Sequence, residues 1–203
     1  MSKSLSKKEL ILESTQSLLV EAGGAALTMR KVAEHAGISL GNLQYHFATR
    51  DLLLEALLAR FVDGYVQDLN LQHIQSSGDL QQDLEALLGA ILQASDFDEG
   101  GALFKELWAA AQTSVGMAKV LTSYYQRLGQ IYAQTLRQLV PPAQTDAQIQ
   151  NAVAVLMPLF EGYCVTQSAM SISRPQLARI WTNAVIAALD APATSTNPDA
   201  QTG

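Results

Sequence analysis

The chain has 203 residues, 48% of them hydrophobic, so it can bury a substantial core and is not disordered as a whole. The single cysteine, Cys164, excludes an internal disulfide, and no stretch reaches the roughly 18 uninterrupted apolar residues that a membrane span needs. The net charge is −6, but residues 1–50 carry six Lys or Arg against four Glu, a net of +2, which leaves −8 for the rest. These features predict a soluble cytoplasmic protein with a mildly basic head, able to meet nucleic acid, and an acidic body.

The first predicted helix begins at a capping box. Ser6 is its N-cap, and Glu9, three residues later, can bond back to the N-cap backbone. Gly23-Gly24 ends this helix. Thr28 then predicts the N-cap of a second, shorter helix, because its hydroxyl can accept from a backbone N–H two or three residues further on.

Residues 28–47, TMRKVAEHAGISLGNLQYHF, predict two short helices joined by a tight turn. Gly37 provides the corner, since glycine adopts positive φ without strain, and Ser39 caps the second helix. The second helix has one apolar face, at the three-and-four spacing, made by Leu40, Leu43 and Phe47. This pattern is typical of a helix-turn-helix, although a helical hairpin without a DNA-binding role has the same outline.

The opposite face of the second helix carries uncharged polar and aromatic groups that suit DNA recognition. Gly41 lets the backbone approach the base edges in a major groove. Asn42 and Gln44 can pair with bases or phosphates, and Tyr45 and His46 can hydrogen-bond phosphate oxygens. The alternatives are that His46 is an ordinary surface histidine and that Tyr45 packs into the head. The operator sequence does not follow from these residues.

Further helices are predicted after the helix-turn-helix. Thr49 caps the fourth, the segment Phe97–Gly101 is expected to break the chain of helices, and Pro141-Pro142 ends a long one, because proline cannot continue a helix. The expected spans are about 49–71, 79–94, 102–114, 115–139, 145–170 and 174–190. Residues 191–203 are small, polar and proline-containing, and are expected to be disordered.

Over residues 8–55 the chain resembles the TetR family of bacterial transcriptional regulators. The resemblance is carried, in order, by the segments LTMRKVA, AGIS, GNLQYHF and DLL, which begin at Leu27, Ala36, Gly41 and Asp51. The family pattern implies a three-helix DNA-binding head and an all-α body of about six helices. The body would bind a small molecule and form a two-fold dimer through its last two helices.

The resemblance also implies which residues meet the DNA. Thr28 and Arg30 would contact phosphates at the start of the helix that crosses the backbone. Tyr45 and His46 match the family's phosphate-touching pair. Arg50 stands where the family often has Lys, and it keeps the positive charge for a phosphate contact. The recognition helix would present Ser39, Gly41, Asn42 and Gln44.

Several large residues of the body combine an apolar surface with a polar tip, which suits a ligand pocket with a few orienting hydrogen bonds. Our candidates for lining such a pocket are Phe104, Trp108, Tyr125 and Tyr163. The alternative for each is an ordinary place in the hydrophobic core.

The last two predicted helices carry apolar stripes that could pair with a second copy of the chain in a four-helix bundle. The stripe residues are Leu156, Leu159, Phe160, Tyr163, Leu177, Ile180, Trp181, Ala184, Val185 and Ala188. The alternative is that these stripes pack only within one chain. Pro158 is expected to kink its helix, because it removes one intrahelical hydrogen bond.

Other chemistry finds no support. The three histidines and Cys164 lack the paired spacing of zinc sites, and no nucleophile–base constellation, phosphate loop or dinucleotide fingerprint occurs. We therefore expect no enzyme activity, no cofactor, no metal and no membrane association.

The sequence thus predicts an all-α protein with a helix-turn-helix DNA-binding domain in residues 1–50 and a helical ligand-binding and dimerisation domain in residues 51–190. The function expected is a homodimeric, ligand-responsive repressor, released from a palindromic double-stranded operator by a small molecule. The alternatives are an activator, a regulator controlled by a protein partner, and a helical ligand-binding protein without DNA affinity.

Overall fold

The computed structural model describes residues 6–23, 27–68, 75–93 and 96–192, and every regular element within these ranges is helical. This confirms the all-α fold class. The helices are α1 (Lys7–Ala22), α2 (Met29–His35), α3 (Leu40–His46), α4 (Arg50–Asp68), α5 (Leu80–Gln93), α6 (Asp96–Ala111), α7 (Val115–Leu139), α8 (Asp146–Thr166) and α9 (Arg174–Asp190). A 3-10 turn, Gln167–Ala169, follows α8. Among the helices of the described ranges, none is long and apolar enough to span a bilayer.

The chain divides into two compact units. The first lies within residues 1–69 and 95–128, and the second within residues 70–94 and 129–203. The boundary expected after residue 50 separates a DNA-binding domain from a ligand-binding domain, whereas these two units are defined by their internal packing. The expected boundary therefore stays a prediction.

In the first unit, α1 packs against α2, α4 and α6, and α2 packs against α3. The core of this unit contains side chains that are 2% exposed or less, namely Ile11, Val32, Leu43, Leu53, Leu54, Leu57, Leu107 and Met117. Burying a side chain of this size contributes about 1.5–3 kcal/mol, so these contacts hold the two short helices α2 and α3, which are too short to be stable alone.

In the second unit, α9 packs against both α5 and α8. Most of the stripe residues on the last two helices are buried within this single chain, namely Leu156, Phe160, Tyr163, Leu177, Trp181 and Val185. Ile180 is 51% exposed and Val165 is 39% exposed, so part of the α8–α9 surface stays apolar and open to a partner. The pairing of these helices with a second chain stays a prediction.

Predicted helix ends in the head match the structure. At α1 the Ser6 side chain accepts from the Glu9 backbone N–H, and the Glu9 carboxylate accepts from the Ser6 N–H, which completes the capping box. α1 ends before Gly23, whose φ is 70°. Leu52 donates its backbone N–H to Thr49 at the start of α4.

One predicted interruption was wrong. We expected Phe97–Gly101 to break the chain of helices, but α6 begins at Asp96 and includes that segment. Each glycine costs a helix only about 1 kcal/mol, and tertiary packing overrides that preference here, because Gly101 is buried.

The predicted end of α8 is also displaced. The helix expected to reach Met170 ends at Thr166 and passes into the 3-10 turn. Pro158 lies inside α8, which continues on both sides of it, and the expected kink stays a prediction. The end expected for α4 near Leu71 and the tail from residue 193 onward lie outside the described residues.

Candidate nucleic-acid interface

The turn between α2 and α3 is fixed by backbone hydrogen bonds around Gly37, whose φ is 65°. The N–H of Ile38 donates to the Ala33 carbonyl at 3.0 Å, and the N–H of Gly37 donates to the Glu34 carbonyl at 3.1 Å. These two bonds form a Schellman motif, which requires the left-handed conformation that glycine adopts at no cost. The predicted corner is therefore confirmed.

Side-chain caps define the N-terminal ends of both helices. The Thr28 hydroxyl accepts from the backbone N–H of Lys31 at 3.2 Å, and the Ser39 hydroxyl accepts from that of Asn42 at 3.2 Å. Each hydroxyl still has its own O–H to donate. Thr28 and Ser39 are both exposed, so each can cap its helix and donate to a phosphate oxygen at the same time.

Buried contacts hold α3 in place from its inner face. Leu43 is 0% exposed and Phe47 is 4% exposed. The Nζ of Lys8, on α1, lies 5.6 Å from the centre of the Phe47 ring, a cation–π distance. The outer face of α3 is therefore presented by a helix that cannot easily rotate.

The outer face exposes most of the residues that were predicted to contact DNA. Arg30, Gly41 and Gln44 are exposed, and Tyr45 is 86% exposed. The half-buried His46 ring meets the Tyr45 ring edge-on, with 5.3 Å between ring centroids. A Cβ atom at position 41 would meet no other atom of the protein within 4 Å, so the space beside Gly41 is open to an incoming partner.

Asn42 is oriented differently from its neighbours on α3. It is half-buried, and its Oδ1 atom is buried with no hydrogen-bond partner. Leaving such a group unsatisfied costs about 1–3 kcal/mol. Turning Oδ1 outward would relieve this cost, so a base contact that uses Oδ1 requires a side-chain rotation.

Arg50 makes a contact that sequence reasoning did not identify. Its Nε donates to the backbone carbonyl of Leu27 at 3.1 Å, and Leu27 is 3% exposed. Arg50 therefore ties the first turn of α4 to the residue just before the Thr28 cap. A guanidinium has five N–H donors, so this bond leaves donors for the predicted phosphate contact.

Lys31 is not among the predicted contact residues, yet it is exposed on α2 next to Arg30. The signal for it was the pair of adjacent cations at the start of the first helix of the helix-turn-helix, in a head of net charge +2. Phosphate contacts supply most of the non-specific affinity of DNA-binding proteins, so an exposed cation here is a candidate for such a contact.

Three of the four predicted pocket residues come together in the first unit. Trp108 Nε1 donates to the Tyr125 hydroxyl at 2.6 Å. Tyr124, which was not among the four, has its ring centroid 5.2 Å from that of Phe104 and 5.1 Å from that of Tyr125. Phe61 meets Phe104 edge-on, 5.7 Å between centroids. We call these five residues the aromatic cluster.

A small cavity of about 150 Å³ lies beside the aromatic cluster, between α4 and α7. Tyr124 belongs to both, and the other lining residues are Glu55, Leu58, Ala59, Val120, Ser123 and Arg127. The fourth predicted pocket residue, Tyr163, belongs to the second unit, where its ring meets that of Trp181 edge-on with 5.8 Å between centroids. Within the part of the chain that the structure describes, no group of three or more metal-ligating side chains is found.

Comparison with known protein families gives two matches. A family model described as "Bacterial regulatory proteins, tetR family" matches residues 11–57, and one described as "BetI-type transcriptional repressor, C-terminal" matches residues 80–191. The two matched ranges fall on the helix-turn-helix and on the helices from α5 onward.

Individual proteins agree with these matches. The chain is 35% identical over 182 residues, 89% of each chain, to an uncharacterised HTH-type transcriptional regulator in the dhlA 5′ region of Xanthobacter autotrophicus. Among solved structures, the multidrug binding protein EbrR complexed with imidazole has a TM-score of 0.65 and 25% identity, with 94% of this chain and 99% of that chain covered. A transcriptional regulator from Rhodococcus sp. Rha1 has a TM-score of 0.71 and 19% identity, with 90% of this chain and 97% of that chain covered.

Proposed function

The chain belongs to the TetR family of bacterial transcriptional regulators, and we propose that it is a repressor that leaves a palindromic operator when a small molecule binds. It is a DNA-binding regulator and not an enzyme. The observation that carries the proposal is the exposed polar face of α3, held by a capped and buried inner face and flanked by the cations of α2. Because chromosomal DNA is its target, we propose that it acts in the cytoplasm.

The proposal assigns α3 to the major groove. Gly41 leaves room for the helix to approach the base edges, and Ser39, Asn42 and Gln44 would make the base or water-mediated contacts. The remaining predicted residues would contact phosphates, with Lys31 added to them, namely Thr28, Arg30, Lys31, Tyr45, His46 and Arg50. Phosphate contacts of this kind fix the register of the protein on the duplex and carry no base sequence.

A palindromic operator requires two copies of α3 related by a two-fold axis. We propose that the dimer forms through the outward surface of α8 and α9. The exposed apolar residues Val165 and Ile180, with the half-buried Leu159, support this surface, since they remain uncovered after the helices have packed within the chain.

The aromatic cluster and the adjacent cavity are the proposed effector site, with Phe104, Trp108 and Tyr125 as its predicted residues. Aromatic faces attract cations, and Glu55 is one of the residues that line the cavity. Arg127 also lines it, but its guanidinium is ion-paired with Asp63, which offsets its charge. The similar protein EbrR is a multidrug binding protein seen with imidazole. We therefore propose a small organic cation or protonated nitrogen heterocycle as the effector. Tyr163 belongs to the second unit, and we assign it no effector contact.

The effector can release DNA only if it binds the DNA-free arrangement more tightly than the DNA-bound one. A direct probe is imidazole at slightly acidic pH, compared with pyrazole, a ring of the same size that stays neutral there. We expect imidazole to release the operator and pyrazole to do so at much higher concentration. Equal potency of the two rings would contradict a cation site.

The test of DNA binding is the double variant Tyr45→Ala with His46→Ala. Its affinity for every duplex should fall, because both residues are assigned to phosphates, which all sequences share. A matched control replaces two exposed glutamines of α5, Gln82→Ala with Gln93→Ala, which lie outside the proposed dimer surface, and should bind as the wild type does. Unchanged binding by the first variant would refute the assigned role.

A further inference from the structure

The first turn of α4 contacts two other parts of the first unit through adjacent residues. On one side, Arg50 Nε donates to the Leu27 carbonyl at 3.1 Å. Leu27 is buried and directly precedes Thr28, the N-cap of α2. This hydrogen bond links the first turn of α4 to the start of the helix-turn-helix, so a movement of that turn also shifts the residues next to Thr28.

On the other side, the Asp51 carboxylate faces the beginning of α7. Ser114 caps α7 by accepting from the backbone N–H of Met117 at 3.2 Å, and its hydroxyl donates a long hydrogen bond of 3.5 Å to Asp51 Oδ2. A negative group near a helix N-terminus is also favoured by the helix dipole. Met117 is 0% exposed, so the beginning of α7 is itself firmly packed.

Gly116 makes this approach possible. A Cβ atom at position 116 would lie 2.7 Å from Asp51 Oδ2, too close for both atoms to keep their positions, so the Asp51 carboxylate would have to shift away from the start of α7. Gly116 lies within the first turn of α7, where alanine would otherwise suit the helix better. The absence of a side chain at position 116 therefore leaves the space that the Asp51 carboxylate occupies.

We infer that Arg50 and Asp51 are positioning residues that join the beginning of α7 to the start of α2 and hold the helix-turn-helix in its DNA-binding orientation. The two residues are adjacent in the first turn of one helix, so a shift of the α7 N-terminus moves both contacts together. We call this pair the α4 clamp. The inference rests on the proposed function, since its readout is DNA affinity.

The α4 clamp contacts Ser114, which lies in the connection between α6 and α7, and residues of the proposed effector site lie on both of these helices. Trp108 of α6 and Tyr125 of α7 are hydrogen-bonded across the short α6–α7 connection, which contains Ser114. An effector that separates these two rings changes the position of that connection. The α4 clamp then transmits the change to Leu27 without any contact between effector and DNA.

The decisive experiment is a double-mutant cycle at Gly116 and Asp51, measured on the operator duplex by fluorescence anisotropy at fixed salt. We expect Gly116→Ala and Asp51→Ala each to lower DNA affinity by about five- to thirtyfold, a usual size for coupling between sites. In the Asp51→Ala background the Gly116→Ala change should have no further effect, because the atom it clashes with is gone. Asp51→Asn, which keeps the shape but not the charge, should lose less affinity than Asp51→Ala.

The control is Gly89→Ala, at a helical glycine where an added Cβ meets nothing within 4 Å, and it should bind DNA as the wild type does. Circular dichroism and thermal unfolding of each variant identify any loss of folding. Wild-type affinity in folded Gly116→Ala, or the same decrease from Gly116→Ala with and without Asp51, would overturn the inference alone. Failure of the wild type to bind any duplex would overturn the proposed function and the inference with it.

Discussion

Tyr45 and Leu43 lie two residues apart on α3, and their contrasting burial gives a sharp prediction. Tyr45 is 86% exposed, so it buries only about 30 Å² of an aromatic side chain's roughly 200 Å². At about 25 cal/mol/Å², Tyr45→Ala should lower the free energy of unfolding by at most about 0.7 kcal/mol. Leu43 is 0% exposed, and Leu43→Ala should cost about 2–5 kcal/mol.

The two variants should separate DNA affinity from stability. A hydrogen bond to a charged group is worth about 1.5–3 kcal/mol, so removing the Tyr45 hydroxyl from a phosphate should reduce operator affinity at least tenfold. The thermal midpoint should move by less than about 3 °C for Tyr45→Ala and by at least about 4 °C for Leu43→Ala. Operator binding by fluorescence anisotropy and unfolding by circular dichroism measure the two quantities on the same samples.

The reasoning fails if Tyr45→Ala unfolds with the same large decrease of midpoint as Leu43→Ala, because Tyr45 would then be a core residue. It fails equally if Tyr45→Ala keeps full stability and full DNA affinity. Val20→Ala, at an uncharged residue of α1 that is 54% exposed, is the control and should change neither quantity appreciably.

Three further results are expected. Arg30→Ala should reduce the slope of log affinity against log salt by about 1.8 per dimer, about 0.9 for each phosphate that the protein no longer neutralises, as measured by titrations at several salt concentrations. Ser39→Ala should remove the cap of α3 and lower the free energy of unfolding in denaturant by about 1 kcal/mol. Hydrogen bonds from Ser77 and Ser76 hold the pKa of Asp83 below its usual range. Their stabilisation is therefore present above the usual carboxyl pKa and disappears as the pH falls through the lowered one. Asp83→Asn should be less stable than wild type in urea at about pH 7, and the difference should shrink as the pH is lowered through the carboxyl range.

Local chemistry explains why the head could be predicted from sequence. The caps at Ser6, Thr28 and Ser39, and the positive φ at Gly37, depend on residues within three or four positions of one another. Both partners of such a contact lie in one short segment, so the sequence of that segment is enough to predict the contact. The spacing of apolar residues at three or four positions then assigns the buried and exposed faces of α3.

Long-range packing explains what could not be predicted. The acceptor for Arg50 Nε is a backbone carbonyl 23 positions away. Every residue has a backbone carbonyl, so the sequence does not indicate which one accepts this bond. The sequence around Gly101 predicts a break in the helix, but Gly101 is buried inside α6. That burial depends on helices that are distant in the chain, so a short segment does not reveal it. The inward orientation of the Asn42 amide is likewise a property of the assembled head.

The most direct test of the account is selection of bound duplexes from a random DNA pool by the purified full chain at near-physiological salt. We predict enrichment of one palindromic sequence, with half-sites about one helical turn apart or slightly more, which is the spacing of two α3 helices in successive major grooves. The Tyr45→Ala, His46→Ala double variant should enrich nothing. Failure of the wild type to enrich any sequence, with and without the imidazole probe, would contradict the assignment of α3 as a recognition helix.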